Sequence, residues 1–206
     1  DSATAFAGNS GNGGNIDINS NFSDIFINSG LRSPSFSVVE ADTNQIQSVG
    51  NAASGGAITV FTQSGDIQIN QDLLSLSFSD TGTAGTGGEI SLSSREGSLI
   101  GNDRLLSVVS IGEQPEDTGA GGPVNLEANQ AISGLEILTF ANTGSSGDIA
   151  IQGLGEHLTV SDVALVVTLQ DLISLPFDGV AFDGALQDIA LDTETTFTSG
   201  QTVVES

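Results

Sequence analysis

The sequence predicts an all-β chain organised as a parallel β-helix, a solenoid in which repeated units stack on one another. Two motifs that recur in step along the chain support this prediction, and both alternate apolar with polar residues. The chain has 206 residues, of which 37% are hydrophobic and 27 are Gly, so it has enough apolar side chains for a core and many sites for tight turns.

The first motif is a glycine followed by apolar residues at the second and fourth positions after it. Each apolar position holds Ile, Val or Leu, and a period of two is typical of a strand with one buried side. Its copies begin at Gly14, Gly56, Gly88, Gly122 and Gly147. We expect their first apolar residues to form one buried row: Ile16, Ile58, Ile90, Val124 and Ile149.

The second motif is a Leu-rich segment that precedes an Asp-Thr-Gly or Asn-Thr-Gly turn, and its copies begin at Leu73, Leu105 and Leu135. A single unit cannot bury its own apolar side, whereas stacked units bury a continuous core. The alternative is a β-sandwich, but a sandwich gives no reason for two motifs to keep step. Asn15 and Asp17 are predicted to stack as polar ladders between units.

Three stretches depart from the repeat. The first unit is long, and the polar segment 31–53, which contains Pro34, is predicted to leave one face as a loop or as short extra strands. Residues 113–117 are predicted to form a smaller acidic loop. After Gly155 the pattern changes, which divides the chain into a β-helix region, 1–155, and a cap or adjoining β-element, 156–206. Within the latter, 158–175 is interpreted as strands, favoured by its Val content, or as a capping helix that begins near Ser161.

Charge and composition exclude several classes of function. The formal net charge is -23, with three Arg and no Lys, so the surface repels the phosphates of nucleic acids and anionic membranes. No apolar run is long enough for a transmembrane helix, and no Cys is present for a disulfide framework. High acidity suits a solvated extracellular surface, a divalent-cation binder or a salty habitat, and we expect no membrane insertion.

The segment from Gly11 to Ile18, Gly-Asn-Gly-Gly-Asn-Ile-Asp-Ile, resembles the Gly-Asn-rich repeats of filamentous-haemagglutinin-type surface proteins. It is most similar to the variety common in cyanobacteria, whose members use two-partner-type secretion. The resemblance extends over roughly residues 8–152 and does not include 156–206. It implies a right-handed parallel β-helix, secretion through an outer membrane, and a role in adhesion or in the extracellular matrix.

Catalysis is not expected. His157 is the only histidine, and the chain contains no Gly-x-Ser-x-Gly motif and too few nitrogen or sulfur ligands for zinc. A β-helix polysaccharide-degrading enzyme is the less favoured alternative. The chain has few Arg for an acidic substrate and neither Trp nor Tyr for a sugar platform.

Calcium is the one ligand for which the sequence offers candidate residues. Ca²⁺ prefers several carboxylate or carbonyl oxygens in a flexible loop. Four Asp residues lie at predicted turns near Gly: Asp80, Asp117, Asp178 and Asp183. Because no complete calcium-loop consensus surrounds them, the favoured interpretation is that they form turns, and no other cofactor is expected.

Two function classes follow from the sequence. The first is an extracellular structural or adhesive rod, which assembles into filaments if the segments 2–8 and 195–204 join neighbouring copies. The second is a module that binds a glycan or another surface through the loop 31–53, with Phe36 in its groove.

Overall fold

The computed structural model describes residues 3–6, 9–38, 50–79, 82–112, 119–141, 146–155 and 158–165. These residues form strands and connecting turns, with no helix among them. The strands are β1 (Ala3–Phe6), β2 (Ile16–Ser20), β3 (Ile25–Ile27), β4 (Leu31–Val38), β5 (Ile58–Thr62), β6 (Ile67–Ile69), β7 (Leu73–Ser79), β8 (Ile90–Ser94), β9 (Leu99–Gly112), β10 (Val124–Ala128), β11 (Ala131–Ala141), β12 (Ile149–Gly153) and β13 (Thr159–Leu165).

All strand pairs are parallel and belong to two sheets. The five-stranded sheet has the order β12-β10-β8-β5-β2. The eight-stranded sheet has the path β1-β4-β7-β9-β11-β13, with β3 paired to β6 and β6 paired to β9 beside it. Each strand therefore pairs with the equivalent strand of the next repeat, so the predicted all-β class is confirmed and the arrangement is compatible with a β-solenoid.

The predicted row of apolar residues is present. Ile16 pairs with Ile58, which pairs with Ile90, and the row continues through Val124 to Ile149. The last four are buried and Ile16, in the outermost strand, is half-buried. In the eight-stranded sheet the second motif pairs in the same manner, because Leu73 lies opposite Leu106 and Leu106 lies opposite Ile137.

The apolar core lies between the two sheets. It contains the inward residues of the five-stranded sheet, such as Val60 and Leu92, and those of the short strands and strand starts opposite them, such as Ile67 and Leu99. Alternation decides which side chains enter it: in β5, β8 and β10 every second residue is buried and the intervening residues are half-exposed.

A second interior zone is polar. Here the glycine-rich segments that precede β2, β5 and β8 lie against the serine side chains of β4, β7 and β9. The Ser75 hydroxyl lies 2.7 Å from the carbonyl oxygen of Gly56 and 2.9 Å from that of Gly87, so its single hydrogen serves either oxygen, and Ser77 donates to the carbonyl oxygen of Ala53 (2.7 Å). These serines are completely buried, so the hydrogen bonds satisfy carbonyl groups that water does not reach. We call this zone the serine–glycine seam.

Of the two alternatives for 31–53, a loop or short extra strands, the structure contradicts the loop for the first part of the segment. Residues 31–38 form β4, which pairs with β7 from Leu31 opposite Leu73 to Ser37 opposite Ser79. Ser33, Ser35 and Ser37 are polar because they belong to the serine–glycine seam, not because they face solvent. The extra length of the first unit therefore lies after Ser37, and residues 39–49 are outside the described residues.

The ladder continues beyond the predicted boundary at residue 155. Strand β13 pairs with β11, with Thr159 opposite Ala131 and Leu165 opposite Ile137. This favours the strand interpretation over the capping helix for residues 159–165. The rest of 156–206 and the acidic loop 113–117 lie outside the described residues.

Candidate functional site

The candidate calcium residues cannot be placed relative to one another, because Asp80, Asp117, Asp178 and Asp183 all lie outside the described residues, as does His157. Among the residues that the structure describes, no group of three or more His, Cys, Asp or Glu is arranged to hold a metal ion. Nor do these residues include a helix able to span a membrane.

Within the described residues, Phe36, the residue predicted to line a binding groove, is buried in a strand. Phe36 lies in β4 and is only 8% exposed. Its ring meets that of Phe78 edge to face, with centroids 6.2 Å apart. The pair stabilises the sheet by aromatic packing between neighbouring units, so this ring is not available to a ligand in the way that the loop interpretation required.

The surface with the most regular chemistry is the outer side of the five-stranded sheet. Its residues are those that alternate with the core residues of β2, β5, β8, β10 and β12. One row across it contains Asp17, Thr59, Ser91, Asn125 and Ala150. The next contains Asn19, Phe61, Ser93, Glu127 and Gln152. We call these two rows the polar face; adjacent strands place its side chains about 4.8 Å apart.

Carboxylates on the polar face, and next to it, are held by hydrogen bonds from other units. Ser93 donates to Oε2 of Glu127 (3.0 Å), and Asn125 donates to Oε1 of Glu89 (2.8 Å). These bonds fix carboxylates that still have free acceptor capacity, since each carboxylate oxygen can accept more than one hydrogen bond. Hydroxyl-rich ligands are suitable donors to such oxygens.

Phe61 provides the aromatic surface on this face. It is half-buried in β5, and the guanidinium carbon of Arg95 lies 5.8 Å from its ring centroid. The distance is within the range of a cation–π interaction, so Arg95 both orients the ring and supplies a positive charge. Of the three Arg residues in a chain of net charge -23, one is therefore located at the polar face.

Asparagine and aspartate ladders are present, but mainly elsewhere than at the predicted residues. Asn15 accepts from the amide of Ala57 (3.0 Å), whereas Asp17 lies opposite Thr59. A ladder of asparagine side chains lies at a corner of the repeat, where Asn70 donates to Asn28 and Asn102 donates to Asn70, each at 2.8 Å. The carboxylates of Asp24 and Asp66 also link successive units, because each accepts a hydrogen bond from a backbone amide of the next unit.

Comparison with family models, with curated proteins and with solved structures finds no match to this chain. The candidate site is therefore described by its own geometry, a polar, hydrogen-bonded face with one aromatic ring.

Proposed function

We propose that this chain is an extracellular structural and adhesive module, a rigid acidic β-rod of the right-handed parallel β-helix type. The observation that carries the proposal is the residue-by-residue parallel pairing of five repeats from Ile16 to Ile149. In a solenoid each unit contacts only its neighbours, so added units lengthen the molecule. Such an elongated shape suits a structural or adhesive role. The resemblance of its Gly-Asn repeats to surface proteins points to the same role.

Charge supports an extracellular rod. A net charge of -23 keeps the surface solvated and opposes lateral collapse onto other rods. It also repels nucleic acids and anionic lipids, which favours glycans as partners; association with other copies of the chain requires salt to screen their mutual repulsion.

The two ends of the five-stranded sheet support a filament. Strands β2 and β12 each have one hydrogen-bonded neighbour in the described part of the chain. Phe22, 90% exposed, follows β2, and Leu154, 39% exposed, follows β12, so an exposed apolar side chain lies at the same corner of the repeat at each end. We propose that these corners meet when copies associate head to tail.

Electron microscopy of the purified chain tests the rod. We expect filaments at high protein concentration and moderate salt, and an oriented sample should give a reflection near 4.8 Å along the filament axis. Phe22→Asp should shift the material to monomers, whereas Thr59→Asp, on the polar face, should not. Monomers of the unmodified chain at every concentration would contradict filament assembly, and a 4.8 Å reflection perpendicular to the filament axis would contradict axial stacking.

A glycan-binding function is the second candidate, and Phe61 with Arg95 on the polar face favours it. Sugars bind to proteins through hydrogen bonds to their hydroxyls and through contact between a ring face and an aromatic side chain, and the polar face offers both. On a glycan array, Phe61→Ala should reduce binding by at least about tenfold. Phe26→Ala, which removes an exposed ring of β3 outside the polar face and away from the proposed filament contact, is the control. Equal binding by both variants would remove this candidate.

A further inference from the structure

The glycine-rich segment before β2 contains three asparagines at three-residue intervals, and each is bonded to the next unit in the same way. The side-chain oxygens of these asparagines accept from backbone amides of the second unit: Asn9 from Asn51 (3.0 Å), Asn12 from Ser54 (3.2 Å) and Asn15 from Ala57 (3.0 Å). The residue after each asparagine donates its own amide to the carbonyl oxygen of the same partner, at 2.9, 2.9 and 2.8 Å. We call this pair of hydrogen bonds the asparagine clamp.

The three clamps differ in the residue that follows the asparagine. Asn9 is followed by Ser10, Asn12 by Gly13, and Asn15 by Ile16, and Asn12-Gly13 is the one Asn-Gly pair in the chain. The difference matters because the backbone nitrogen of the following residue can attack an asparagine side chain and displace its amide. Glycine has no side chain to hinder this attack, so Asn12 has the most reactive neighbour.

The reaction is a ring closure that consumes only water. The backbone nitrogen of Gly13 loses its proton and bonds to Cγ of Asn12, the Cγ–Nδ2 bond breaks, and the side-chain nitrogen leaves as ammonia with that proton. Water then opens the five-membered succinimide at one of its two carbonyl carbons. Opening at Cγ gives aspartate. Opening at the α-carbonyl carbon gives isoaspartate, in which the side-chain methylene has become part of the backbone.

In the folded chain the clamp holds the two reacting groups on a residue of the next unit instead of on each other. The Gly13 N–H, which must lose its proton, is donated to the carbonyl oxygen of Ser54, and the amide of Ser54 fixes the Asn12 carboxamide. Gly13 is buried, whereas Asn12 is exposed, so access of water does not limit the reaction. We propose that Asn12 is a site of spontaneous deamidation that is blocked while the first unit is paired with the second and reacts when the first unit opens.

The two products should differ in their fit to the fold. Aspartate has the shape of asparagine and keeps an oxygen for the amide of Ser54. Isoaspartate lengthens the backbone next to Gly13, where even an added Cβ would lie 2.7 Å from the nitrogen of Gly56 and 2.7 Å from the carbonyl oxygen of Ser33. We therefore expect that a first unit with isoaspartate does not pair again with the second. Its opening would be recorded permanently in the covalent structure.

Deamidation of the full chain, folded and unfolded in urea, tests the block. Both samples are kept in the same mildly alkaline buffer, and peptide mapping by mass spectrometry follows conversion at each asparagine. In urea we expect Asn12 to react first, and Asn15 about tenfold or more slowly, because the branched side chain of Ile16 hinders the attack. In the folded chain Asn12 should react about tenfold or more slowly than in urea, because the reaction then requires local opening.

Two glycine variants separate pairing from intrinsic reactivity, since neither changes the Asn12-Gly13 pair. A Cβ at Gly56 would clash with the carbonyl oxygens of Gly13 and Gly14 in the first unit. At Gly11 nothing lies within 4 Å. In the folded state Gly56→Ala should raise the rate at Asn12 by about fivefold or more, and Gly11→Ala should leave it unchanged. If Gly56→Ala does not fold, urea concentrations below the unfolding transition of the unmodified chain provide the second measurement, and they should raise the rate at Asn12.

Refolding of the deamidated chain tests the fate of the products. After dilution of the urea sample and brief proteolysis, the resistant fraction should contain asparagine or aspartate at position 12 and be depleted of isoaspartate. Isoaspartate at the same proportion in the resistant fraction and in the whole sample would show that the fold accepts the longer backbone.

Three further outcomes would overturn the proposal. Equal rates at Asn12 in the folded chain and in urea would show that the clamp does not block the reaction. Equal rates in folded Gly56→Ala and Gly11→Ala would show that pairing of the first two units does not control it. Earlier reaction of another asparagine in urea would assign the site to that residue.

Discussion

At the residue scale, the interior of this protein relies on an unusual pairing of serine with glycine. Glycine lets two backbones approach closely, and the serine hydroxyl then reaches the carbonyl oxygens of the opposite segment. Ser79 illustrates the double use of one hydroxyl, because it donates to Gly50 O (2.6 Å) and accepts from the amide of Gly82 (2.9 Å). Ser94 repeats the pattern with Gly65 O and the amide of Gly97. These hydrogen bonds replace water where the two sides of a unit are too close for large side chains.

Loss of a seam hydroxyl should therefore destabilise the fold. Ser75→Ala removes the one hydroxyl within hydrogen-bonding distance of two buried carbonyl oxygens, and we expect it to lower the free energy of unfolding by about 1–3 kcal/mol. Ser91→Ala, on the polar face, should change it by less than about 0.5 kcal/mol. Urea unfolding followed by circular dichroism measures both, and similar values for the two variants would contradict a stabilising role for the seam.

The glycines also differ in how much a substitution should destabilise the fold, because a Cβ added at some of them would contact neighbouring backbone atoms and at others would not. At Gly147 a Cβ would clash with the backbone of Gly122 in the neighbouring unit, whereas at Gly11 nothing lies within 4 Å. We expect Gly147→Ala to cost about 1–3 kcal/mol, because backbone atoms cannot move aside as side chains can. Gly11→Ala should be neutral within about 0.5 kcal/mol. The difference between their urea midpoints measures the effect, and equal midpoints would show that the units are not packed this closely.

At the element scale, alternation along each strand places successive side chains on opposite sides of the sheet, so adjacent residues have different environments. Ile90 is fully buried between Ile58 and Val124 in its row, while Ser91 lies on the polar face between Thr59 and Asn125. A shift of one residue in pairing would exchange these environments for the whole strand, so the apolar row itself fixes the register.

An aspartate at these two positions tests the alternation directly. Ile90→Asp buries a carboxylate with no partner in an apolar row, and we expect a loss of at least about 3 kcal/mol of stability. Ser91→Asp adds the same charge one residue away and should cost less than about 1 kcal/mol. Thermal melting of both variants is the measurement. If Ser91→Asp were the more damaging, the inner and outer sides would have to be exchanged.

At this scale the apolar alternation predicts the strands and their inner side, whereas the serine alternation does not. Period-two alternation of Ile, Val and Leu in the first motif correctly predicts the row from Ile16 to Ile149, because buried positions of a strand are occupied by apolar side chains. The alternating serines of β4 are misleading, because they predict an exposed segment. Polar residues usually mark a surface, but here the partners of Ser33 and Ser35 are glycine carbonyls contributed by another part of the unit. The pairing of Phe61 with Arg95 depends on which residues face each other across units, so sequence alone did not indicate it.

At the scale of the whole molecule, charge is the dominant property. With 26 acidic residues against three Arg, most of the surface repels itself, and the folded state concentrates that charge more than an unfolded chain does. Stability is thus expected to depend on the surrounding electrolyte more than on any single ion pair.

Salt should therefore raise the melting temperature. Between roughly 0.01 and 0.15 M NaCl the screening length falls from about 30 Å to about 8 Å, which removes most long-range repulsion. We expect Ca²⁺ and Mg²⁺ at equal concentrations to raise the melting temperature equally. A larger rise with Ca²⁺, lost on substitution of Asp80 and Asp117 by Asn, would instead identify a calcium site.

The unequal lengths of the stacked units have a mechanical consequence. Between equivalent positions of successive units the chain advances 42 residues from the first unit to the second, 32 to the third, 34 to the fourth and 25 to the fifth. Under tension applied at its two ends, such a stack peels one unit at a time, since each unit is held only by its neighbours. Every released unit adds its own contour length, from about 90 Å for the shortest to about 150 Å for the longest. A force–extension trace of a single molecule would thus contain a series of unequal steps, and their order would show from which end the stacked units unfold.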